Sequence, residues 1–389
     1  MAVSLTNADK ALKTFYLDVA KEQLNQNTNP FLAEIKKTTE DVWGKEIRKL
    51  AVYGVNGGIG AGTETGDLPE AVGNNYENFV LSLKNLYGTI EISDKAVRAS
   101  ENNTGAFVNL LNAEMEGLIK ASTFNFGRML FGDGSGVLAT VEEVANGVIT
   151  LDNVKSLAEG MVVDFRDEQG NLIETAKQRK VLSVNRKNKT ITVGGVSVAD
   201  EIVGATVCIQ GSYQNELTGL KALFATEGTL YGLDRESHPW LAPYVKENQG
   251  EITEKAIQTA LDTIEEQSGS QVNFIICSLG VRRALQEIFS KSNTRTDTMN
   301  LAGGYKAISY NGIPIIADRF CPDGTMYLLN TEDFSLHQLC DWQWLEGEDG
   351  KVLSQIPGKP IYTATLVKYA DLLCSKPCGQ GMITGITEG

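Results

Sequence analysis

Residues Val55 to Pro69 read VNGGIGAGTETGDLP, five glycines in fifteen residues. They lie between two extended runs, Lys45 to Gly54 (KEIRKLAVYG) and Asn78 to Ser93 (NFVLSLKNLYGTIEIS). In the second run Phe79, Leu81 and Leu83 alternate with Val80, Ser82 and Lys84, the period of a strand. Two strands joined by more than twenty residues of Gly, Thr, Glu, Asp and Asn form a very long hairpin. Loops beyond about 12–15 residues are usually functional or disordered, and glycine's freedom at positive φ makes this one pliable.

A phosphate-cradling loop is the first chemistry to test. Gly57 and Gly62 have the Walker A spacing, but Thr63 stands where that motif needs its lysine, and the nearest basic residues are Lys49 and Lys84. The dinucleotide fingerprint fails too. Gly58 and Gly60 are followed by Thr63, and Gly60 and Gly62 by Thr65, where the third glycine belongs. No cofactor is expected. A protruding loop that orders against a neighbour fits both the pliability and the missing cation.

The 389 residues suffice for two or three modest domains, and Lys+Arg 35 against Asp+Glu 49 gives a net charge of −14. That balance opposes electrostatic adhesion to nucleic acid or anionic membrane. No apolar run reaches the length of a membrane span and the N-terminus lacks a signal peptide's pattern, so a soluble product made in a cytoplasm is expected. The six cysteines are scattered, which suits reduced thiols. Cys374 and Cys378 form a C-x-x-x-C pair with no second Cys/His pair to complete a zinc site.

Along the chain, Thr6 to Gln26 reads as an amphipathic helix and Phe31 to Trp43 as a second short one. Thr104 to Phe131 carries the longest helical stripe (Phe107, Leu110, Leu111, Met115, Leu118, Ser122) and ends at the glycine stop FGDGSG. From about Glu143 to Ser212 the texture becomes short strands with polar turns, a small all-β insertion whose basic stretch RKVLSVNRKNK reads as solvated hairpin charge. Glu251 to Gln267 and Val281 to Phe289 read as helices. Val272 to Cys277, GIPIIAD and TMYLLN read as strands, so this part is an α/β or α+β lobe. The tail from Lys359 alternates like long strand structure.

Catalytic constellations are missing from the pattern. His238 and His337 are the only histidines and neither has a sequence-local partner for a triad or a metal. Ser135 fails the G-x-S-x-G pattern, with Asp133 and Val137 at the glycine positions. Glu142–Glu143 and Glu265–Glu266 are adjacent and point apart. Trp342 and Trp344 share a strand face, as a ligand platform or as core. No enzyme is expected.

In order, these elements are an arm, a glycine-tipped hairpin, one long helix, a β insertion, an α/β lobe and a returning strand. With AVYGVNGGIGAG, KNLYGTIEISDKAVRAS, NTGAFVNLLNAEMEGL, NFGRMLFGDGSG and PWLAP, the chain resembles the major capsid proteins of tailed bacteriophages, the Hong Kong 97-type fold, and looks like the coat proteins of Gram-positive siphophages. The resemblance implies an α+β fold with an N-terminal arm (1–44), an extended E-loop hairpin (45–94) and a P-domain stretch (95–142) with a spine helix over 104–131. An inserted β-rich domain (143–212), a connecting segment (213–249), an A-domain (250–345) and C-terminal strands returning to the P-domain (346–389) would follow.

It implies self-assembly into hexamers and pentamers of an icosahedral head around double-stranded DNA, bound without sequence specificity. The head is assembled in the host bacterial cytoplasm and found in the virion. Its implied partners are a separate scaffolding protein, a portal, and decoration or minor capsid proteins; no membrane is involved. By resemblance the inter-subunit contact falls on the E-loop tip, at Asn56, Gly57, Gly58, Gly60, Gly62, Asp67, Leu68 and Pro69. Two departures count. The arm-like helix begins almost at Met1, where some members carry a cleaved scaffolding segment, and no lysine stands between Lys49 and Lys84 to form the covalent E-loop link of others. An encapsulin-like compartment shell of the same fold, separated by its cargo, and an enzyme with a pocket in the α/β lobe are the rival readings.

Overall fold

A computed structural model describes residues 29–40, 42–43, 46–95, 104–195, 200–291, 298–300, 306–347 and 350–389. The expected helix over Thr6 to Gln26, and with it most of the arm, lies outside the described residues. The chain divides into two compact units, residues 1–122 with 223–389, and residues 123–222.

The larger unit holds a seven-stranded sheet. In spatial order its strands are Tyr244–Lys246, Gly381–Ile383, Met326–Leu329, Phe274–Cys277, Ile313–Ala317, Lys306–Tyr310 and Thr298–Asn300. Phe274–Cys277 and Met326–Leu329 are buried at every position, the unbroken apolar run of a strand covered on both faces. Helices Glu254–Ser268 and Leu279–Lys291 supply side chains to that core. The first starts on Thr253, whose hydroxyl accepts the Ala256 N–H, buries Ile257, Ala260 and Ile264 at helical spacing, and stops at Gly269 with φ 65°.

A five-stranded sheet in the same unit joins Lys36–Thr38, Phe334–Trp344, Ile361–Cys374 and Ser354–Gln355 in that order, with Lys84–Ser93 also pairing Ile361–Cys374. That last pairing runs without a break from Ser93↔Ile361 to Lys84↔Ala370. Leu86, Ile90 and Ile92 face inward. Gly88 stands in the same row, where an added Cβ would lie 2.7 Å from Leu118 Cδ1, so its missing side chain admits the helix Thr104–Met129. Trp342 and Trp344 are both buried, which makes them core. Lys368 is buried on the same sheet, held 2.7 Å from both Gln338 Oε1 and Asp341 Oδ1, and burial lowers its pKa.

Two sequence expectations are corrected. The helix expected over Phe31 to Trp43 spans only Pro30–Glu34, with Asn29 Oδ1 accepting the Phe31 and Leu32 N–H groups. Lys36–Thr38 instead gains ladder bonds beside Ser335–His337, a better return than one more turn of a marginal helix. The run Asn78 to Ser93 is two strands, Asn75–Ser82 and Lys84–Ser93, divided at Leu83 between different sheets, so the hairpin ends at Ser82 rather than at residue 94. The C-terminal strands serve both sheets: Ile361–Cys374 lies in the five-stranded one and Gly381–Ile383 in the seven-stranded one.

The smaller unit is a closed six-stranded barrel. Its strands neighbour one another as Thr190–Val193, Val148–Leu151, Val137–Ala145, Thr206–Ile209, Val162–Arg166 and Arg179–Asn185, which returns to the first. Inward residues such as Ile149, Leu151, Val163, Phe165 and Val207 fill it. Asn146 and Gly147, with φ 52° and 76°, form the tight two-residue turn of its first hairpin. A register shift between Val141 and Glu143 leaves both Glu142 and Glu143 exposed. Arg128, at the end of the long helix, and Glu216, after the last barrel strand, form a buried two-bond ion pair at 2.8 and 2.6 Å.

Candidate assembly loop

Glu46–Tyr53 pairs antiparallel with Asn75–Ser82 from Glu46↔Ser82 to Tyr53↔Asn75. The connection, residues 54–74, contains every tip residue singled out from the sequence. Its two legs run side by side. Asn56 Nδ2 donates to Asn74 Oδ1 (2.8 Å), and Asn56 Oδ1 accepts the Gly58 N–H (2.8 Å). A Cβ on Gly57 would stand 3.3 Å from Val72, one on Gly60 3.1 Å from the Pro69 ring, and one on Gly62 3.7 Å from the Asp67 carbonyl. The legs close at a turn in which the Gly66 N–H donates to the Thr63 carbonyl.

The glycines do not work as the sequence suggested. Gly57, Gly58, Gly60 and Gly62 have no positive φ; in this loop only Gly54 does, at 67°. Gly57, Gly58 and Gly60 serve the close approach of two chain segments, Gly62 has room for a side chain, and the left-handed turn that needs glycine sits where the first strand ends.

Above the loop the hairpin has two different faces. Ile47, Ala51, Phe79 and Leu81 are buried. Tyr53 stacks on Trp240 with ring centroids 4.8 Å apart and planes 5° apart, and Phe79 meets both Trp240 and Tyr231. The Val80 N–H donates to the Tyr231 carbonyl at 2.8 Å. Tyr231 is itself fixed, its hydroxyl donating to Leu372 O and accepting from Cys374 N–H, and burial pushes its phenol well above the usual range, so it stays a donor.

On the opposite face the cross-strand pair Val52–Tyr76 and the adjoining Leu50 are exposed by 61, 51 and 55 %. Val55, Ile59 and Leu68 in the loop are more exposed still. Residues 50–83 hold four carboxylates, Glu64, Asp67, Glu70 and Glu77, and no Lys, Arg or His. The result is an apolar stripe next to a loop that carries Glu64, Asp67 and Glu70 and no basic residue, while Glu77 lies on the body-facing side of the hairpin. Sequence reading missed the stripe and the Tyr53–Trp240 anchor, although IRKLAVY does place apolar residues on both faces of one strand. Among the described residues no three His, Cys, Asp or Glu side chains form a metal-holding group, and no helix is long and apolar enough to cross a membrane.

Residues 90–349, beginning just after this hairpin and covering two thirds of the chain, match the SU10 major capsid protein family. The chain belongs to that family. As an SU10-type major capsid protein it shares its fold with a known phage shell: the cyanophage A-1(L) capsid asymmetric unit superposes with a TM-score of 0.55 at 12% identity, over 95% of this chain and 93% of that one. This is the Hong Kong 97-like architecture expected from the resemblance. The capsid of an empty GTA particle (TM-score 0.48, 10% identity, 93% and 91% covered) and the structure titled Mycobacterium phage Bobi (0.47, 8%, 94% and 92%) are further matches. No curated protein matches the chain.

Proposed function

We propose that many copies of this major capsid protein close into hexamers and pentamers of an icosahedral phage head, and that the 54–74 loop of one copy lies across the next. The observation that carries the loop's role is the uncovered stripe of Leu50, Val52 and Tyr76. An apolar surface of this kind, continuous with Val55, Ile59 and Leu68, is stable in water chiefly as one side of an interface. A second copy is the occupant that a shell of identical subunits supplies. The tip residues Asn56, Gly57, Gly58, Gly60, Gly62, Asp67, Leu68 and Pro69 extend that seat beyond the hairpin.

In this reading residues 1–44 are an arm, the helix Thr104–Met129 is the spine, the barrel Val137–Ile209 is an inserted module and the seven-stranded lobe meets its copies around the symmetry axes. The role is structural, with no catalysis. Scaffolding protein and portal act during assembly in the host cytoplasm, and decoration or minor proteins join the mature virion. With a net charge of −14 the protein encloses double-stranded DNA as a container and does not grip it by charge.

The test is Val52→Lys combined with Tyr76→Glu, which places opposite charges at this cross-strand pair. Each side chain already faces water in the single chain, so circular dichroism and the melting temperature should stay at wild-type values while assembly by light scattering is lost. Wild-type assembly by the double variant would refute the seat. Purified particles should hold DNA; enzyme cargo in its place would favour the encapsulin-like reading.

A further inference from the structure

His238 is one of two histidines in the chain, and the other, His337, is 1 % exposed with Nε2 3.0 Å from Ser335 Oγ. His238 lies where both strands of the loop hairpin meet the body. Trp240, two residues on, stacks on Tyr53 of one strand and packs on Phe79 of the other, and the imidazole stands edge-on to Trp240 with centroids 6.3 Å apart. Its Nδ1 is 2.8 Å from the Asp234 carbonyl oxygen. A carbonyl only accepts, so Nδ1 carries the hydrogen, and the Nε2 lone pair is left toward Glu77, whose Oε1 is 4.0 Å away. A lone pair opposite a carboxylate is an unfavourable contact; a second proton on Nε2 turns it into an ion pair.

We propose that His238 is a positioning residue for the loop, a proton-dependent clasp between Glu77 of the hairpin and the body, loose when the imidazole is neutral and closed when it is a cation. Histidine is the side chain whose ordinary charge change falls between about pH 5 and 8. The other charged groups around it are fixed contributors. Lys49 lies on the same face of the hairpin as Glu77, diagonal to it across the two strands. The Asp234 carboxylate accepts the Ser237 N–H and hydroxyl, which hold its pKa down, and the same turn carries Arg235, buried with its guanidinium on the Leu223 carbonyl, and Glu236. The Pro377–Gly379 turn packs against Pro239–Leu241 and is preceded by Lys376, whose charge acts on Asp333. Within that turn burial raises the Cys378 thiol. The clasp sets the angle at which the loop leaves its own subunit, so its consequence for assembly rests on the loop reading above, whereas the clasp itself is a property of the single chain.

Hydrogen exchange by mass spectrometry on the unassembled chain tests it, following peptides over residues 46–53 and 75–82 at about pH 5.5 and 8, corrected for intrinsic rates. Wild-type protection should be about two- to fivefold higher at the lower pH, the range of a partly exposed ion pair. His238→Gln should be weakly protected at both pH values and Glu77→Gln should lose the difference. His238→Lys, a permanent cation, should be protected at both. An undiminished pH difference in His238→Gln, or a His238→Lys chain no better protected than His238→Gln, overturns the clasp. Shell formation plays no part in this readout, so a wild type that never assembles would count against the loop reading and leave the clasp to be judged on its own.

Discussion

Glu216→Gln is expected to cripple the barrel unit while sparing the larger one. Glu216 gives both carboxylate oxygens to Arg128, at 2.6 and 2.8 Å, with the two side chains only 3 and 7 % exposed. The amide keeps nearly the same shape but removes the negative charge, so a guanidinium is left buried without its counter-ion. Breaking a buried pair from one side costs about 3–5 kcal/mol, against about 5–15 kcal/mol for the stability of a typical domain.

Replacing both partners, as in Arg128→Met with Glu216→Leu, removes the desolvation penalty together with the attraction and should return the unit to within about 1 kcal/mol of wild type. Tryptophan fluorescence is blind to the change, because the four tryptophans, Trp43, Trp240, Trp342 and Trp344, all lie outside residues 123–222. Hydrogen exchange of peptides from Val162–Arg166 and Thr206–Ile209 is the suitable assay, with protection in Glu216→Gln falling by about a hundredfold or more. A single variant within about 1 kcal/mol of wild type, or a double variant as damaged as the single, would refute the reasoning.

Gly54→Ala should destabilise the hairpin end by about 1 kcal/mol, since Gly54 holds φ 67°, whereas Gly62→Ala, with no positive φ and an ordinary 3.7 Å contact, should be close to neutral; exchange of the 75–82 amides in the two variants separates them. Gly219→Ala should be among the most damaging glycine changes, because its Cβ would fall 2.4 to 2.8 Å from the Met129, Gly132 and Leu130 carbonyl oxygens where the long helix ends, and a large drop in the thermal midpoint checks it. Alkylation of native protein should modify only Cys340 and Cys378; Cys208, Cys277, Cys321 and Cys374 are buried, and burial pushes the Cys277 thiol to about 12, so adducts at these four before denaturation would contradict the packing described.

Much of this was readable because burial writes itself into short-range pattern. VNFIIC and TMYLLN are apolar without alternation, and they became central strands covered on both faces. ITEKAIQTALDTIEEQ carries its own cap and stripe, so its helix was plain. The failures share one cause, competition settled by distant partners. The alternation from Phe79 runs straight through Leu83, and only the pairing of Lys84–Ser93 with a strand nearly three hundred residues on reveals the break. The short helix after Asn29 gives way to Lys36–Thr38 because residues 335–337 offer it a ladder. At the loop, glycine content was visible but its use was not: φ is a property of the folded path, and the close approach of Gly60 to Pro69 depends on how the legs meet. The anchor of Tyr53, Phe79, Tyr231 and Trp240 joins segments too far apart in sequence for any local signal.

The proposal that many copies of this chain close into a phage head is tested most directly by electron microscopy of wild-type protein expressed with a scaffolding protein. Closed icosahedral particles with pentamers at the vertices and hexamers between them are expected, in which the density of residues 54–74 from each subunit lies on the adjoining one. After boiling in detergent and reductant those particles should give a single 42.2 kDa band, because no lysine stands between Lys49 and Lys84 to cross-link the loop. Protein that remains monomeric under these conditions, or closed particles whose loops project into solvent and touch no neighbour, would contradict the assembly described here.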